Sequence, residues 1–362
     1  MTNIFSKYTL GNLTLSNRIV MAPLTRGRAN NAEHIVTPLI SEYYKQRATA
    51  GLIISEGSQI SPMAVGYQNT PGIYSKQQTE AWKQITKAVH DEGGKIFIQL
   101  WHVGRVSHPD FLDGKLPLAP SAIKFDYNAR TPSGPKPAPT PHQMTVEEIK
   151  EVVGEFKIAA KNAMEAGFDG VEIHASNGYL LHQFIAPCSN VRTDDYGGSY
   201  ENRCRILFEV IDEMKKVMPE NKIGIRLNPS YHNDHGMFLT EDTIPTFDFL
   251  IDKLNNYNLA YLHLSEPGRR AKESSFAETQ IAKRYRKIYK GTLMINRGFT
   301  YESGTKIIKE GNADLVAFGV PYIANPDLVR RFENGFPLAE ADTSTYYSIG
   351  AKGFTDYPDF KA

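Results

Sequence analysis

The chain has 362 residues, 41% of them hydrophobic, and its lysines and arginines exceed its acids by one. This near-neutral charge gives no basis for nucleic-acid binding or for attachment to an acidic partner. No apolar run approaches the roughly eighteen residues of a transmembrane helix, and the first residues show no leader pattern, so we expect a cytoplasmic protein without membrane contact. The two cysteines predict neither a disulfide framework nor a metal motif.

Short apolar runs rich in β-formers alternate with longer amphipathic segments along the chain. The predicted strands cover residues 19–22, 51–56, 95–101, 170–174, 222–227, 260–265, 292–296 and 315–318. The predicted helices cover 77–92, 146–166, 200–218, 240–256, 276–289 and 301–310. In 146–166 the apolar residues recur at helical three- and four-residue steps: Ile149, Val152, Val153, Phe156, Ala159, Ala160 and Ala163. Eight strand–helix units predict an α/β fold, a single (β/α)₈ TIM barrel over residues 1–362.

An open, doubly wound sheet is the rival architecture. That fold favours a G-x-G-x-x-G fingerprint after its first strand, whereas Pro23, Leu24 and Thr25 follow here. The proline-rich stretch 102–144 exceeds what a barrel needs, and it is either a plain surface loop or a lid over the barrel mouth after strand three. The tail beyond Asn334 is aromatic enough to pack back on the body.

Polar side chains cluster where the fourth predicted strand ends. His174 closes the strand, and Asn177 and Tyr179 follow within five positions. Two neutral donors three residues apart can hold one carbonyl oxygen, while a nearby weak acid protonates a carbon. The same pattern also fits a strand end followed by an Asn-Gly turn and a surface tyrosine. The pattern thus indicates a catalytic site without excluding that simpler interpretation.

Other strand ends add residues suited to a flavin. Gln99 and Trp101 end strand three, and Arg226 is a charge within an apolar strand, paired either with an acid such as Glu56 or Glu172 or with a ligand. The glycines after strands seven and eight fit a phosphate held by backbone amides, as is common at that corner of a barrel. Together these groups fit flavin mononucleotide (FMN).

Two histidine clusters have simpler interpretations. His232 and His235 have a metal-like spacing but no third ligand nearby, so we interpret them as loop residues and predict no metal site. His102 and His108 flank Arg105 in the long stretch after strand three, and we interpret this group as a charged loop surface.

Five segments make the chain resemble the old yellow enzyme family of FMN-dependent ene-reductases. They are NRIVMAPLTR (17–26), QLWHVGR (99–105), GFDGVEIH (167–174), GYLL (178–181) and IANPDL (323–328), in the family's order. The resemblance spans nearly the whole chain. It implies tightly bound FMN, NADPH or NADH as hydride donor, and reduction of the C=C bond of enones, enals or nitroalkenes by trans addition, with phenols as ligands.

The resemblance also implies roles for individual residues. His174 and Asn177 would bind the substrate carbonyl or a phenolate, and Tyr179 would donate the proton. The flavin would be held by Pro23, Leu24, Thr25, Gly57, Gln99, His174 and Arg226, with the phosphate near Arg297, Gly298, Gly319 and Val320. The substrate pocket would be shaped by Tyr67, Trp101 and Tyr347.

Val320 departs from the family pattern, because many members carry arginine there and use it for the flavin phosphate. Arg297, beside Gly298, is our candidate replacement. Two other classes remain open from sequence: a colourless barrel lyase or aldolase that uses Arg226 for a phosphorylated substrate, and a flavin or ligand-binding protein with little turnover. The physiological substrate, the choice between NADPH and NADH, and the oligomeric state do not follow from the sequence.

Overall fold

Eight parallel strands close into a barrel in the computed structural model, which describes residues 3–361. The strands are β1 Tyr8–Leu10, β2 Leu13–Leu15, β3 Ile19–Met21, β4 Leu52–Gln59, β5 Ile96–Trp101, β6 Leu118–Ala119, β7 Asn128–Thr131, β8 Gly134–Pro137, β9 His142–Gln143, β10 Gly170–Ala175, β11 Ile223–Leu227, β12 Tyr261–Ser265, β13 Leu293–Asn296 and β14 Leu315–Phe318. The barrel order is β3, β4, β5, β10, β11, β12, β13 and β14, and β14 pairs with β3. The predicted barrel is confirmed.

The barrel strands are buried on both faces, because side chains fill the interior while helices cover the outside. Every residue of β5 and β10 is buried. In the parallel ladder, His174 of β10 lies beside Arg226 of β11, which lies beside His263 of β12. Three polar side chains are therefore brought side by side by strand register alone.

Strand β4 runs past its predicted end at residue 56. Its pairing with β5 shifts register between Ile54 and Gly57, and the strand then continues to Gln59. The polar residues of this extension are buried and hydrogen-bonded: the Gln59 amide nitrogen, for instance, donates to the Thr70 carbonyl at 3.3 Å. Glu56 lies within the strand, as predicted, whereas Gly57 lies inside it and not beyond its end.

The helices are α1 Pro38–Lys45, α2 Lys76–Asp91, α3 Val146–Glu165, α4 Leu180–Ile185, α5 Tyr200–Met214, α6 Thr243–Leu254, α7 Ile281–Tyr285, α8 Tyr301–Lys309, α9 Val320–Ala324 and α10 Leu328–Asn334. Helix α3 buries all seven of its predicted core positions, and a capping box between Thr145 and Glu148 starts it. No helix within residues 3–361 is long and apolar enough to cross a membrane.

The predicted helices differ from the observed ones mainly at their ends. The segment 276–289 is helical only over α7, and its first residue, Phe276, is 47% exposed, so the apolar period was misleading there. Helices α1, α4, α9 and α10 were not predicted. All six residues of α4 are buried, including His182 and Gln183, so it has no solvent-exposed face and gives no amphipathic signal.

The stretch 102–144 is structured rather than a bare loop. Strands β7 and β8 form an antiparallel hairpin within it, and β6 pairs with β9. Its Phe125 and Ala138 form a small core with Trp101 at the end of β5, and Tyr127 and Tyr179 pack against this core. The stretch therefore lies against the carboxyl-end face of the barrel.

The aromatic tail packs back on the barrel through Phe354, which is fully buried. Its ring stacks on Tyr43 with centroids 4.0 Å apart, and the Arg28 guanidinium lies 4.5 Å from the same ring. Two arginines that follow Thr25 also hold the tail: Arg26 donates to the Gly353 carbonyl at 2.7 Å and Arg28 to the Tyr346 carbonyl at 2.8 Å. The tail is thus tied to the loop after β3.

Replacing Phe354 with alanine should destabilise the fold by about 3–5 kcal/mol, because a fully buried ring leaves a cavity. Urea unfolding followed by circular dichroism measures this as a lower midpoint. Ile349→Ala is the control, since Ile349 lies in the same tail and is 63% exposed; it should change stability by less than about 0.5 kcal/mol. Equal effects of the two substitutions would contradict the packing role of the tail.

Candidate active site at the carboxyl end of the barrel

A cavity of about 680 Å³ opens where the carboxyl ends of the barrel strands converge. This volume lies in the range of about 300–1,000 Å³ typical of small-molecule sites. Nine of the residues predicted for the site line it: Pro23, Leu24, Asn177, Tyr179, Arg226, Arg297, Gly298, Gly319 and Val320. Residues from the ends of β3, β10, β11, β13 and β14 are therefore brought together as the barrel prediction required.

The other predicted site residues lie behind or beside this wall. Gln99 and His174 are buried at 3% and 5% exposure, and Thr25 is half-buried directly after Leu24. Gly57 packs under Trp101, because a Cβ at residue 57 would lie 2.6 Å from the indole Cε3. Tyr347 is 62% exposed on the tail.

An aromatic cluster surrounds the end of β10. The Trp101 ring stacks at 6.1 Å from His174 and meets Tyr179 edge-on at 4.9 Å. His174 and Tyr179 are themselves edge-on, with centroids 5.0 Å apart. The hydroxyl oxygens of Tyr67 and Tyr179 are 3.0 Å apart and share a hydrogen bond. The proposed donor, acid and pocket residues thus form one contiguous group.

Asn177 takes a left-handed backbone conformation, with φ +56°, and Gly178 follows with φ +79°. Asparagine and glycine tolerate this conformation best, so the Asn-Gly pair turns the chain sharply after β10. The Asn177 side-chain oxygen accepts a hydrogen bond from the Asn228 amide at 3.0 Å. Asn228 therefore fixes the orientation of Asn177 and leaves the Asn177 N–H groups for a ligand in the cavity.

Burial lowers the pKa of His174 well below its usual value, and the positive charge of Arg226 acts in the same direction. The imidazole is therefore neutral. The Ser176 hydroxyl lies 3.2 Å from its Nδ1. When that hydroxyl donates the bond, the ring proton lies on Nε2, which can then donate to a ligand.

Burial also raises the pKa of Tyr179 above its usual value of about 10, although the hydrogen bond to Tyr67 partly opposes the shift. The phenol consequently keeps its proton at neutral pH. A protonated phenol beside two neutral donors can supply a proton without introducing a charge.

Beneath the cavity, a buried carboxylate orients Gln99. The Gln99 amide nitrogen donates to Glu172 at 2.7 Å, and the other oxygen of Glu172 accepts from His263 at 2.8 Å. Burial opposes ionisation of Glu172, but the contacts with His263 and the charge of Arg226 outweigh it and hold the pKa of this carboxyl below its usual range. Sequence reasoning gave His263 no role, and nothing in its apolar strand indicated one.

Arg226 forms no salt bridge with any described residue, so the predicted pairing with Glu56 or Glu172 is not observed. Its Nε has no hydrogen-bond partner among those residues. With the Asn296 amide oxygen turned towards it, that oxygen accepts from an Arg226 terminal nitrogen at 2.9 Å. A partly buried guanidinium with unused donors beside Gln99 fits a ligand that offers several acceptors, as the flavin pyrimidine ring does.

At the predicted phosphate site, Arg297 and Gly298 both have left-handed backbones, with φ +78° and +80°. A side chain at Gly268 would collide with the Arg297 guanidinium, so this arginine lies against the loop after β12. Val320 is 58% exposed on the cavity rim.

The cluster around Arg105 is not the charged loop surface that the sequence suggested. Arg105 and His102 are each only 1% exposed, and burial lowers the pKa of His102 to about 3. The Arg105 guanidinium donates to the carbonyls of His235 and Gly236 at 3.2 and 3.0 Å. It therefore joins the stretch 102–144 to the loop after β11.

His232 and His235 lie in that loop, and residues 3–361 contain no group of three or more side chains suited to a metal.

A model of the NADH:flavin oxidoreductase / NADH oxidase family matches residues 3–339. The chain belongs to this family. It is 43% identical to a putative 12-oxophytodienoate reductase 2 of Oryza sativa subsp. japonica, over 98% of this chain and 93% of that one. A probable flavin mononucleotide-dependent alkene reductase of Leishmania infantum is 39% identical, over 96% and 95%. The structure of an old yellow enzyme homologue from Zymomonas mobilis superposes with a TM-score of 0.93 at 39% identity, over 99% and 100%.

These similarities confirm the predicted membership of the old yellow enzyme family and make the chain an FMN-dependent oxidoreductase that uses a nicotinamide donor. The functional residues that the sequence analysis missed are those held by long-range contacts. Asn228 could have been identified from the sequence, because it directly follows the predicted strand 222–227 and so belongs at the barrel mouth.

Glu56 holds the turn that follows Thr25. Its carboxylate accepts from the backbone N–H groups of Arg26 and Gly27 at 3.1 and 3.3 Å, while its own backbone N–H donates to the Tyr44 hydroxyl. Burial raises the pKa of Glu56 to about 7, against the effect of the two backbone donors. The fold therefore binds this proton more tightly than the unfolded chain does.

The pKa of Glu56 in the folded protein, about 7, exceeds the value of about 4.3 in the unfolded chain. The stability that the protonated Glu56 contributes is therefore fully present below about pH 4.3 and is lost as the pH rises to about 7. Glu56→Gln keeps an acceptor for both N–H groups but cannot ionise. Urea midpoints measured from pH 4 to 8 should show the wild type losing stability relative to the variant across this window. If the difference in urea midpoint between wild type and Glu56→Gln stays constant with pH, the raised pKa of Glu56 is contradicted.

Proposed function

We propose that the protein is an NAD(P)H-dependent ene-reductase that reduces the C=C bond of α,β-unsaturated carbonyl compounds and nitroalkenes by trans addition. The observation that carries this proposal is the grouping of two neutral donors with a weak acid. Asn177 and Tyr179 line the cavity, and the neutral imidazole of the buried His174 lies 5.0 Å from the Tyr179 ring between centroids. The relative named as an alkene reductase supports the same chemistry.

FMN, when bound, would supply the hydride-transfer chemistry between the nicotinamide donor and the substrate β-carbon. Gln99 and Arg226 would bind its pyrimidine edge, Thr25 its O4, and Pro23, Leu24, Gly57 and His174 would line the ring. The phosphate would lie near Arg297, Gly298, Gly319 and Val320. The unused donors of Arg226 and the orientation of Gln99 by Glu172 support this placement.

The residues of the chain act on the substrate oxygen and on the α-carbon. His174 and Asn177 donate hydrogen bonds to the carbonyl oxygen and stabilise the negative charge that develops there as the β-carbon takes hydride. Tyr179 gives its proton to the α-carbon from the face opposite the hydride. One hydride and one proton are thereby added across the double bond while NAD(P)H is oxidised to NAD(P)⁺.

The same two donors would hold a phenolate oxygen, so phenols should bind as unreactive ligands. Tyr67, Trp101 and Tyr347 would shape the substrate pocket, and the stretch 102–144 would act as a partial lid through Tyr127. The stacking of Tyr67 on Trp101 at 5.3 Å supports an apolar pocket for planar substrates. A Schiff-base aldolase is disfavoured, because no lysine is among the described residues that line the cavity.

Tyr179→Phe should slow alkene reduction by about 10²–10⁴ while flavin reduction by NADPH keeps its rate, since the phenol is needed only to protonate the α-carbon. His174→Ala should weaken both enone binding and alkene reduction, with a rate loss of about 10²–10³. Stopped-flow absorbance at the flavin band separates the two half-reactions. Normal enone turnover by Tyr179→Phe would contradict the proton-donor role.

The matched control for Tyr179→Phe is Tyr322→Phe. Tyr322 is also a buried tyrosine, but it lies outside the cavity and its hydroxyl has no partner among the described residues. Both half-reactions should keep wild-type rates in this variant. A comparable slowing of alkene reduction would mean that the Tyr179 effect comes from the loss of any buried hydroxyl.

Arg297→Ala should weaken FMN binding about ten- to a hundred-fold if Arg297 takes over the phosphate contact that Val320 cannot make, since a hydrogen bond to a charged group is worth about 1.5–3 kcal/mol. Fluorescence titration of apoprotein with FMN measures the Kd. Arg330→Ala, on the exposed face of α10, is the control with the same charge change. Unchanged FMN affinity in Arg297→Ala would rule out this contact.

A further inference from the structure

A second cavity of about 290 Å³ adjoins the active-site cavity. Its walls come from the loops after β11 and β12 and from Arg297, which follows β13. Tyr231 and Arg297 line both cavities. We call it the arginine pocket; it is lined by Ser230, Tyr231, His232, Asp234, Gly268, Arg269, Arg270, Ala271 and Arg297. A molecule bound in the first cavity can therefore extend into the second without leaving the protein surface.

The arginine pocket carries an excess of positive charge. Three guanidinium groups line it, from Arg269, Arg270 and Arg297, against the single carboxylate of Asp234. Arg270 is partly held, because its Nη1 donates to the Asn233 carbonyl at 3.0 Å and lies 3.4 Å from an Asp234 oxygen. The remaining guanidinium N–H groups of Arg269 and Arg270 suit a strongly anionic occupant.

Arginine is suited to a phosphate monoester, because its planar fork of N–H groups matches two oxygens at once. A phosphate monoester carries about −1.5 to −2 charges at pH 7 and offers three acceptor oxygens. Arg269 and Arg270 can thus bind such a group from one loop, while Arg297, whose guanidinium lies against the same loop, is left for the flavin phosphate.

We propose that the arginine pocket binds the 2′-phosphate of NADPH and so makes the protein prefer NADPH to NADH. This inference rests on the proposed function, in which a nicotinamide donor binds in the first cavity. The two coenzymes differ only by this phosphate on the adenosine ribose, at the end of the molecule remote from the nicotinamide. The phosphate therefore belongs in a pocket that continues outward from the active site.

Other basic side chains near the barrel mouth are less suited to binding the 2′-phosphate. Lys136 in the stretch 102–144 is already paired with Asp110 at 2.6 Å. Lys272 lies on the same loop as Arg269 but lines a different cavity, together with Glu266 and Glu310. The arginine pocket combines excess positive charge with direct continuity to the active site.

The test uses holoenzyme with Arg269→Gln, with Arg269→Gln/Arg270→Gln, and with Lys272→Gln as the control of equal charge change on the same loop. Because Arg270 also holds the loop after β11, the single variant at the exposed Arg269 guards against a merely structural effect. The KM for NADPH should rise about ten-fold in the single variant and about a hundred-fold in the double variant, as expected for one or two charged contacts. The KM for NADH and both kcat values should change less than two-fold.

A binding measurement gives a second readout. Calorimetry with adenosine 2′,5′-bisphosphate and with 5′-AMP should show tighter binding of the bisphosphate to wild type, and the preference should disappear in the double variant. Equal weakening of NADH and NADPH would mean that the arginines bind the pyrophosphate, and it would overturn the proposal. Unchanged NADPH affinity would overturn it as well. Reoxidation of dithionite-reduced enzyme by an enone tests the ene-reductase function independently of the coenzyme.

Discussion

Closure of the parallel barrel is the constraint on which the site depends. Because the strands run the same way and β14 pairs with β3, all eight carboxyl ends meet at one face, and residues distant in sequence become neighbours. His174, Arg226 and His263 lie side by side through ladder register. The site needs only one or two positioned side chains from each strand end, and the loops supply the remaining walls.

Burial at this face then sets the chemistry. An imidazole and a phenol removed from water both stay neutral, so His174 can donate a hydrogen bond without bringing a positive charge, and Tyr179 holds its proton. Two charges remain: Glu172 is fully buried and orients Gln99, and Arg226 lines the cavity. Neutral donors next to fixed charges suit a reaction in which negative charge develops transiently on a substrate oxygen.

The barrel and much of the site could be predicted from sequence because they depend on local patterns. Strand–helix alternation located all eight barrel strands, and the position of His174 at a strand end placed it at the mouth. The rest depends on contacts between distant residues: Asn228 orients Asn177 across 51 positions, and His263 meets Glu172 across 91. The burial of Arg105 and the extension of β4 were mispredicted for the same reason, since their polar groups find partners that only the fold brings near.

The visible spectrum of the purified protein without oxygen tests the proposed ene-reductase function most directly. It is recorded before and after NADPH is added and again after 2-cyclohexenone is added. FMN bands should bleach with NADPH and return with the enone, because both half-reactions would use one site. Bands that bleach but fail to return would contradict the ene-reductase assignment. A colourless protein that takes up no added FMN would contradict the whole arrangement from Thr25 to Val320.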